Sequence, residues 1–226
     1  MQSDIDRLNA EIVACRKCPR LVRWREGCAQ EPPRRYKGAE YWARPLPGFG
    51  AARPRLLIVG LAPAAHGGNR TGRMFTGDRS GDWLYGALHS AGFASQPHSN
   101  HRGDGLELRD CYITAAVRCA PPENKPSNLE FKRCLTYLVQ ELRVFKEVRV
   151  VIVLGKIAFD SFIAAYRKSG GKVPKPVPKF GHGVAVGLEG AVQLLCSYHP
   201  SQQNTFTGKL TEPMFHAIFK QARALL

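Results

Sequence analysis

Four cysteines offer the most explicit chemistry in this chain. Cys15 and Cys18 form a Cys-x-x-Cys pair near the N-terminus, and Cys119 and Cys134 lie far downstream with fourteen residues between them. Two thiolates at the first spacing can grip one metal centre, and two more from elsewhere complete a four-sulfur site. Cys119 follows the apolar run Tyr112–Val117 and so falls in a loop, while Cys134 falls one or two turns into the next helix. On spacing, three readings stand: an iron–sulfur cluster, which tolerates a wide second pair; a tetrahedral zinc, whose knuckles usually come from two short pairs; and buried free thiols. Cys28, Cys111 and Cys196 read as small core residues, since free cysteine is among the most buried types.

A second set of residues gathers where apolar runs end. Gly60 opens Gly-Leu-Ala-Pro-Ala-Ala-His-Gly-Gly-Asn, Arg118 opens Arg-Cys-Ala-Pro-Pro-Glu-Asn, and Tyr198 opens Tyr-His-Pro-Ser-Gln-Gln-Asn. These are turn-forming residues, but open α/β sheets bind ligands beyond the carboxyl ends of their strands, and three such loops on one edge predict a pocket. The first loop lacks both G-x-x-x-x-G-K-S/T and G-x-G-x-x-G, so it gives little support to triphosphate or NAD binding. Gly60, Ala62 and Ala64 instead allow backbone to approach a flat ligand or a sugar–phosphate. Phe75 and Asp78 precede a helix, where alone they would read as a core aromatic and a favourable first-turn charge. His199 precedes a proline, which restricts it to extended backbone.

The elements that must position these residues follow from periodicity. Leu56–Gly60, Tyr112–Val117, Arg149–Leu154 and Gln193–Ser197 read as buried strands. Helices are predicted over Ser3–Ala14, from an N-cap at Ser80, over Phe131–Phe145 behind a Ser127/Glu130 capping box, over Gly155–Tyr166, and over Thr211–Leu226. Glu26–Pro54 and the basic, proline-rich Lys172–Lys179 read as irregular. Alternation of apolar strands with helices predicts an α/β fold, a three-layer α/β/α sandwich around a central four-stranded parallel sheet. The 226 residues suit one domain, 1–226.

The formal net charge of +15 with 33 Lys and Arg points to an anionic partner, most often nucleic acid. The first nine residues carry acids and no apolar h-region, and no run approaches a membrane span, so no signal peptide and no membrane are expected. An odd cysteine count in a basic chain predicts a reducing cytosol.

GLAPAAHGGNRTGRMFTGD (Gly60–Asp78), AAVRCAPPENKP (Ala115–Pro126) and SYHPSQQNTFTGKLT (Ser197–Thr211) resemble the signature blocks of the family 5, or type b, uracil-DNA glycosylases. The likeness runs from Cys15 to Thr211. It implies the uracil-glycosylase fold, and a [4Fe-4S] cluster on Cys15, Cys18, Cys119 and Cys134. Implied catalytic residues are Asp78, which would position water or stabilise a cationic sugar, His199, which would hydrogen-bond the pyrimidine O2, and Asn124 in the same region. Implied base-pocket residues are Gly60, Ala62, Ala64, Phe75 as the stacking aromatic, and Ala115. Ser201, Gln202, Gln203 and Asn204 resemble a minor-groove loop that would contact DNA. Where family 4 enzymes carry a carboxylate and an asparagine reader, this chain has Leu61 and Ala115, which implies a broader range of deaminated bases. The expected enzyme is a monofunctional glycosylase that flips a base from double- or single-stranded DNA and leaves an abasic site, as a monomer in a bacterial or archaeal cytosol. The competing expectations are a non-catalytic iron–sulfur nucleic-acid-binding module and a zinc-stabilised RNA-binding domain.

Overall fold

A computed structural model describes residues 3–226. Its central sheet forms because five-residue apolar runs alternate their side chains between two faces. The strands are β1 (Phe49–Gly50), β2 (Leu56–Gly60), β3 (Cys111–Ala115), β4 (Val150–Leu154), β5 (Ala185–Gly187) and β6 (Gln193–Ser197), ordered β1-β3-β2-β4-β6-β5. The four predicted strands are the parallel centre, with Gly60 in register with Ala115 at one end and Leu154 with Ser197 at the other seam. Two further strands that the sequence does not mark, β1 and β5, pair antiparallel on the two edges and extend the sheet to six. Each is only two or three residues long and partly exposed, so neither leaves an apolar run to read.

Eight α-helices lie among the described residues: α1 (Asp4–Val13), α2 (Pro19–Gln30), α3 (Gly68–Thr71), α4 (Arg79–Ser90), α5 (Asn128–Val144), α6 (Lys156–Lys168), α7 (Gln202–Phe206) and α8 (Glu212–Ala224). Leu57, Val59, Val151, Val153, Leu194 and Cys196 face one layer, packed with Ile5, Leu8 and Ile12 of α1, Leu138 of α5 and Phe162 of α6. Leu56, Ile58, Val150, Ile152 and Leu195 face the other, packed with Leu84 and Leu88 of α4 and Phe215 and Phe219 of α8. Both faces are therefore covered, as a parallel sheet requires.

Ser3 caps α1 and Ser127 caps α5, each in a reciprocal capping box. Two expectations change. Glu26–Gln30 is helical, the C-terminal part of α2, which Pro19 starts at a position where a missing N–H costs nothing. The cap of α4 is Asp78 rather than Ser80: Asp78 has the extended backbone of a cap (φ −145°) and accepts from Gly81 N.

Candidate active site

Three of the predicted residues meet beyond the strand ends. Gly60 closes β2, and a Cβ there would lie 2.8 Å from Phe75 Cζ, so the absent side chain is the space the ring fills. Phe75 stacks on His199 with ring centroids 6.0 Å apart and planes at 30°. A Cβ on Gly155, just after β4, would touch His199 Cβ at 3.5 Å, and Gly155 has φ +95°. The imidazole thus stands over the ends of β2, β4 and β6. Asn204 Nδ2 donates to His199 O at 2.8 Å, and His182 Nδ1 accepts from Tyr198 N at 3.2 Å, so the backbone on both sides is held.

Asp78 belongs to the same loop. A Cβ on Gly67 would lie 2.3 Å from Asp78 Oδ2, so only glycine admits the carboxylate there. Asp78 Oδ1 accepts from Gly81 N at 3.1 Å. Phe75 sits at φ +51°, in the left-handed region that a bulky residue occupies only when its surroundings force it. The force is visible: a Cβ on Gly81 would lie 1.9 Å from Phe75 O, Tyr85 Oη donates to Met74 O at 2.7 Å, and Thr71 Oγ1 donates to Thr76 O at 3.1 Å.

Electrostatics differ between the two polar groups. Burial drives the His199 imidazole down to about 4, so it is neutral at pH 7 and keeps one N–H to donate. Burial also raises the Asp78 carboxyl above the ordinary aspartate value, opposed by hydrogen bonds from Gly81 and Ser80 backbone.

Ala115 is buried beside Gly60, and Ala62 and Ala64 are half-buried in the loop after β2. Asn124 is exposed, on a short 3-10 turn at φ +57°, and is not drawn into contact with Phe75, Asp78 or His199. Ser201 caps α7, Gln202 and Gln203 are exposed, and Asn204 is committed to His199 O.

The four cysteines line one hollow with Leu21, Arg25, Arg118 and Tyr137. Among the described residues no three His, Cys, Asp or Glu side chains close around a single metal ion. Burial pushes the Cys119 thiol up to about 12 and the Cys134 thiol up to about 11. Arg25 is 1 % exposed; its Nη1 donates to Cys119 Sγ at 3.0 Å and its Nε has no partner. Arg118, also 1 % exposed, pairs with Glu141 at 2.5 Å and leaves Nε and Nη1 unpartnered. Two buried cations with spare donors fit an anionic, thiolate-bound group.

Sequence reasoning passed over Arg25, Asn69, Gly67 and Gly81. The glycines were legible as a dense run between Gly60 and Gly81. Nothing in the spacing marked Arg25 among the many arginines.

The profile of the Uracil DNA glycosylase superfamily matches residues 47–223. The chain is 52% identical over 219 residues to a Type-5 uracil-DNA glycosylase of Mycobacterium tuberculosis, covering 96% of this chain and 80% of that protein. It is 49% identical over 214 residues to a Type-5 uracil-DNA glycosylase of Thermus thermophilus, covering 95% and 94%. A Type-4 uracil-DNA glycosylase of Pyrobaculum aerophilum is 30% identical over 199 residues, covering 88% and 83%. With strand ends, pocket loop and overall sequence in agreement, the chain belongs to the uracil DNA glycosylase superfamily.

Proposed function

We propose that this protein excises uracil and related deaminated bases from DNA, by hydrolysis of the N-glycosidic bond, in base excision repair. The observation that carries the reading is the stack of Phe75 on His199 above glycines that hold both rings at the strand ends. An extruded pyrimidine needs an aromatic face to rest on and a donor at its O2. Phe75 supplies the face. His199, neutral at pH 7, donates its N–H without giving up a proton, and that bond strengthens as negative charge collects on the departing base.

Asp78 acts on the sugar side. Burial disfavours its charge in the free enzyme, and a cation growing at the sugar removes that penalty, so the carboxylate favours the transition state more than the ground state. It also orients the attacking water. Asn124, exposed on its turn, reaches the base only with DNA in place. Ser201, Gln202 and Gln203 contact the DNA beside the gap, while Asn204 braces His199 from behind. One domain working as a monomer suffices for these roles. No helix among the described residues is long and apolar enough to cross a membrane.

Cys15, Cys18, Cys119 and Cys134 would hold a [4Fe-4S] cluster, which when bound supplies a rigid crosslink between three segments of the chain. The buried Arg25 supports this by offsetting its negative charge, and Arg118, its own charge balanced by Glu141, adds unpartnered N–H donors.

Single-turnover assays on DNA carrying a U·G pair, with hypoxanthine and xanthine in parallel, test the reading. Uracil release with an abasic product is expected; no release of any deaminated base by iron-replete protein would overturn it.

A further inference from the structure

We propose that four arginines anchored on two aromatic rings beside the pocket clamp the phosphodiester backbone of the DNA flanking the extruded nucleotide. The inference rests on the glycosylase reading above and adds a surface that reading does not assign.

Arg35 and Arg70 lie over the Tyr36 ring, at 4.8 and 4.4 Å from its centroid. Arg44 and Arg102 lie over the Trp42 ring, at 5.5 and 4.3 Å. A guanidinium held against a ring keeps N–H donors free for a second, anionic partner, and the ring has already removed much of the side chain's freedom. Among the described residues no carboxylate oxygen comes within 4.0 Å of any of these four guanidinium groups. Arginines that brace the fold do have such partners: Arg20 with Glu130, Arg73 with Asp104, Arg118 with Glu141. Arg35, Arg44 and Arg102 are exposed.

The array is fastened to the pocket loop. Trp42 N donates to Arg70 O at 3.0 Å, and Arg70 Nε donates to His66 O at 2.9 Å. A Cβ on Gly77, the residue before Asp78, would lie 2.5 Å from Arg70 Nη2. One on Gly72 (φ +76°) would lie 2.8 Å from Arg102 Cδ and 3.0 Å from the Trp42 ring. The cations therefore lie in two pairs, one on each ring, tied to the loop that leads to Asp78. Two such pairs of fixed cations without carboxylate partners suit a repeating anion, and in this protein that anion is the substrate's own backbone.

The test uses the iron-replete protein and two variants, R35Q/R44Q/R102Q and Tyr36→Leu; Arg70 is left intact because it also holds His66. Binding is measured against salt, on duplex carrying an uncleavable deoxyuridine analogue and on the same duplex with thymidine. Each phosphate contact contributes about 0.9 to the slope of log K against log salt. The triple variant should lose about 2–3 units of slope and ~tenfold or more in affinity on both duplexes. Tyr36→Leu keeps every charge, so it should bind severalfold more weakly with the parent slope. A folded triple variant with the parent's slope and affinity overturns the clamp, as does a Tyr36→Leu variant of undiminished affinity. If the parent binds DNA with this salt dependence yet releases no base, the glycosylase reading fails and the clamp stands.

Discussion

Asp78 carries two duties that one atom change can separate. As N-cap of α4 it needs only an acceptor for Gly81 N, and asparagine caps about as well as aspartate. As a catalytic group it needs charge. Asp78→Asn should therefore leave the melting temperature unchanged or slightly higher at pH 7, because the buried charge is gone, while single-turnover base release falls sharply. Asp78→Ala should lose the cap as well, costing about 0.5–2 kcal/mol in denaturant titrations. The pH signs are opposite for the two polar residues. The raised Asp78 contributes stability that is present below the ordinary aspartate value of 3.8 and lost as pH rises through its folded value. The depressed His199 contributes stability that is present above 6.5 and lost as pH falls toward about 4. His199→Ala should remove the loss in that acid window, seen by thermal melts at stepped pH, and should slow base release at least ~tenfold, about 1.4 kcal/mol of barrier. A release rate in the parent that tracks a histidine titration between pH 6 and 8 would contradict the neutral donor.

At the scale of elements, the pocket depends on how β2 hands over to α4. Gly81 lies in the first turn of α4 with its α-carbon against Phe75 O, a backbone atom that cannot step aside. Gly81→Ala should destabilise by about 1–3 kcal/mol through overpacking and displace Phe75. Gly86, on the same helix with nothing within 4 Å of a built Cβ, is the control: Gly86→Ala should stabilise by about 0.5–1 kcal/mol. Both are read by urea unfolding. The central strands were legible because each is a short, mainly apolar run that is buried over most of its length. The capping box at Ser127 was legible because its partner, Glu130, lies three residues away. The edge strands β1 and β5 were not, since tertiary pairing rather than their own composition makes them strands. Nor was α2 as a whole, whose polar Arg-Glu-Gly composition hides the period carried by Leu21, Arg25 and Cys28. Asp78 displaced Ser80 as cap because a left-handed Gly77 turns the chain there, a backbone fact that two cap-forming residue types two positions apart leave undecided. In the site, the residue types at Phe75, Asp78 and His199 were readable, whereas the glycine contacts that seat Phe75 and Asp78 were visible only as a glycine-rich stretch.

For the whole molecule, the four-cysteine hollow joins the α1–α2 connection, α2, the loop after β3 and α5. A crosslink of that reach resembles several disulfides, each worth about 2–4 kcal/mol. At about 2–4 °C per kcal/mol for a chain of this length, Cys119→Ala or iron chelation should lower Tm by about 10 °C or more, with the visible absorbance lost in step. A colourless variant with the parent's melting temperature would argue against the cluster. One buried amide extends the reach of that hollow. Asn69 Nδ2 donates to Arg25 O at 3.1 Å and to Ala65 O at 3.3 Å, tying the helix that carries Arg25 to the loop that carries Gly67. Local opening on the sulfur side must therefore pass into the base-binding side. Deuterium should enter the amides of α2 and of residues 64–69 at a common rate, and Asn69→Leu should let the two segments exchange independently.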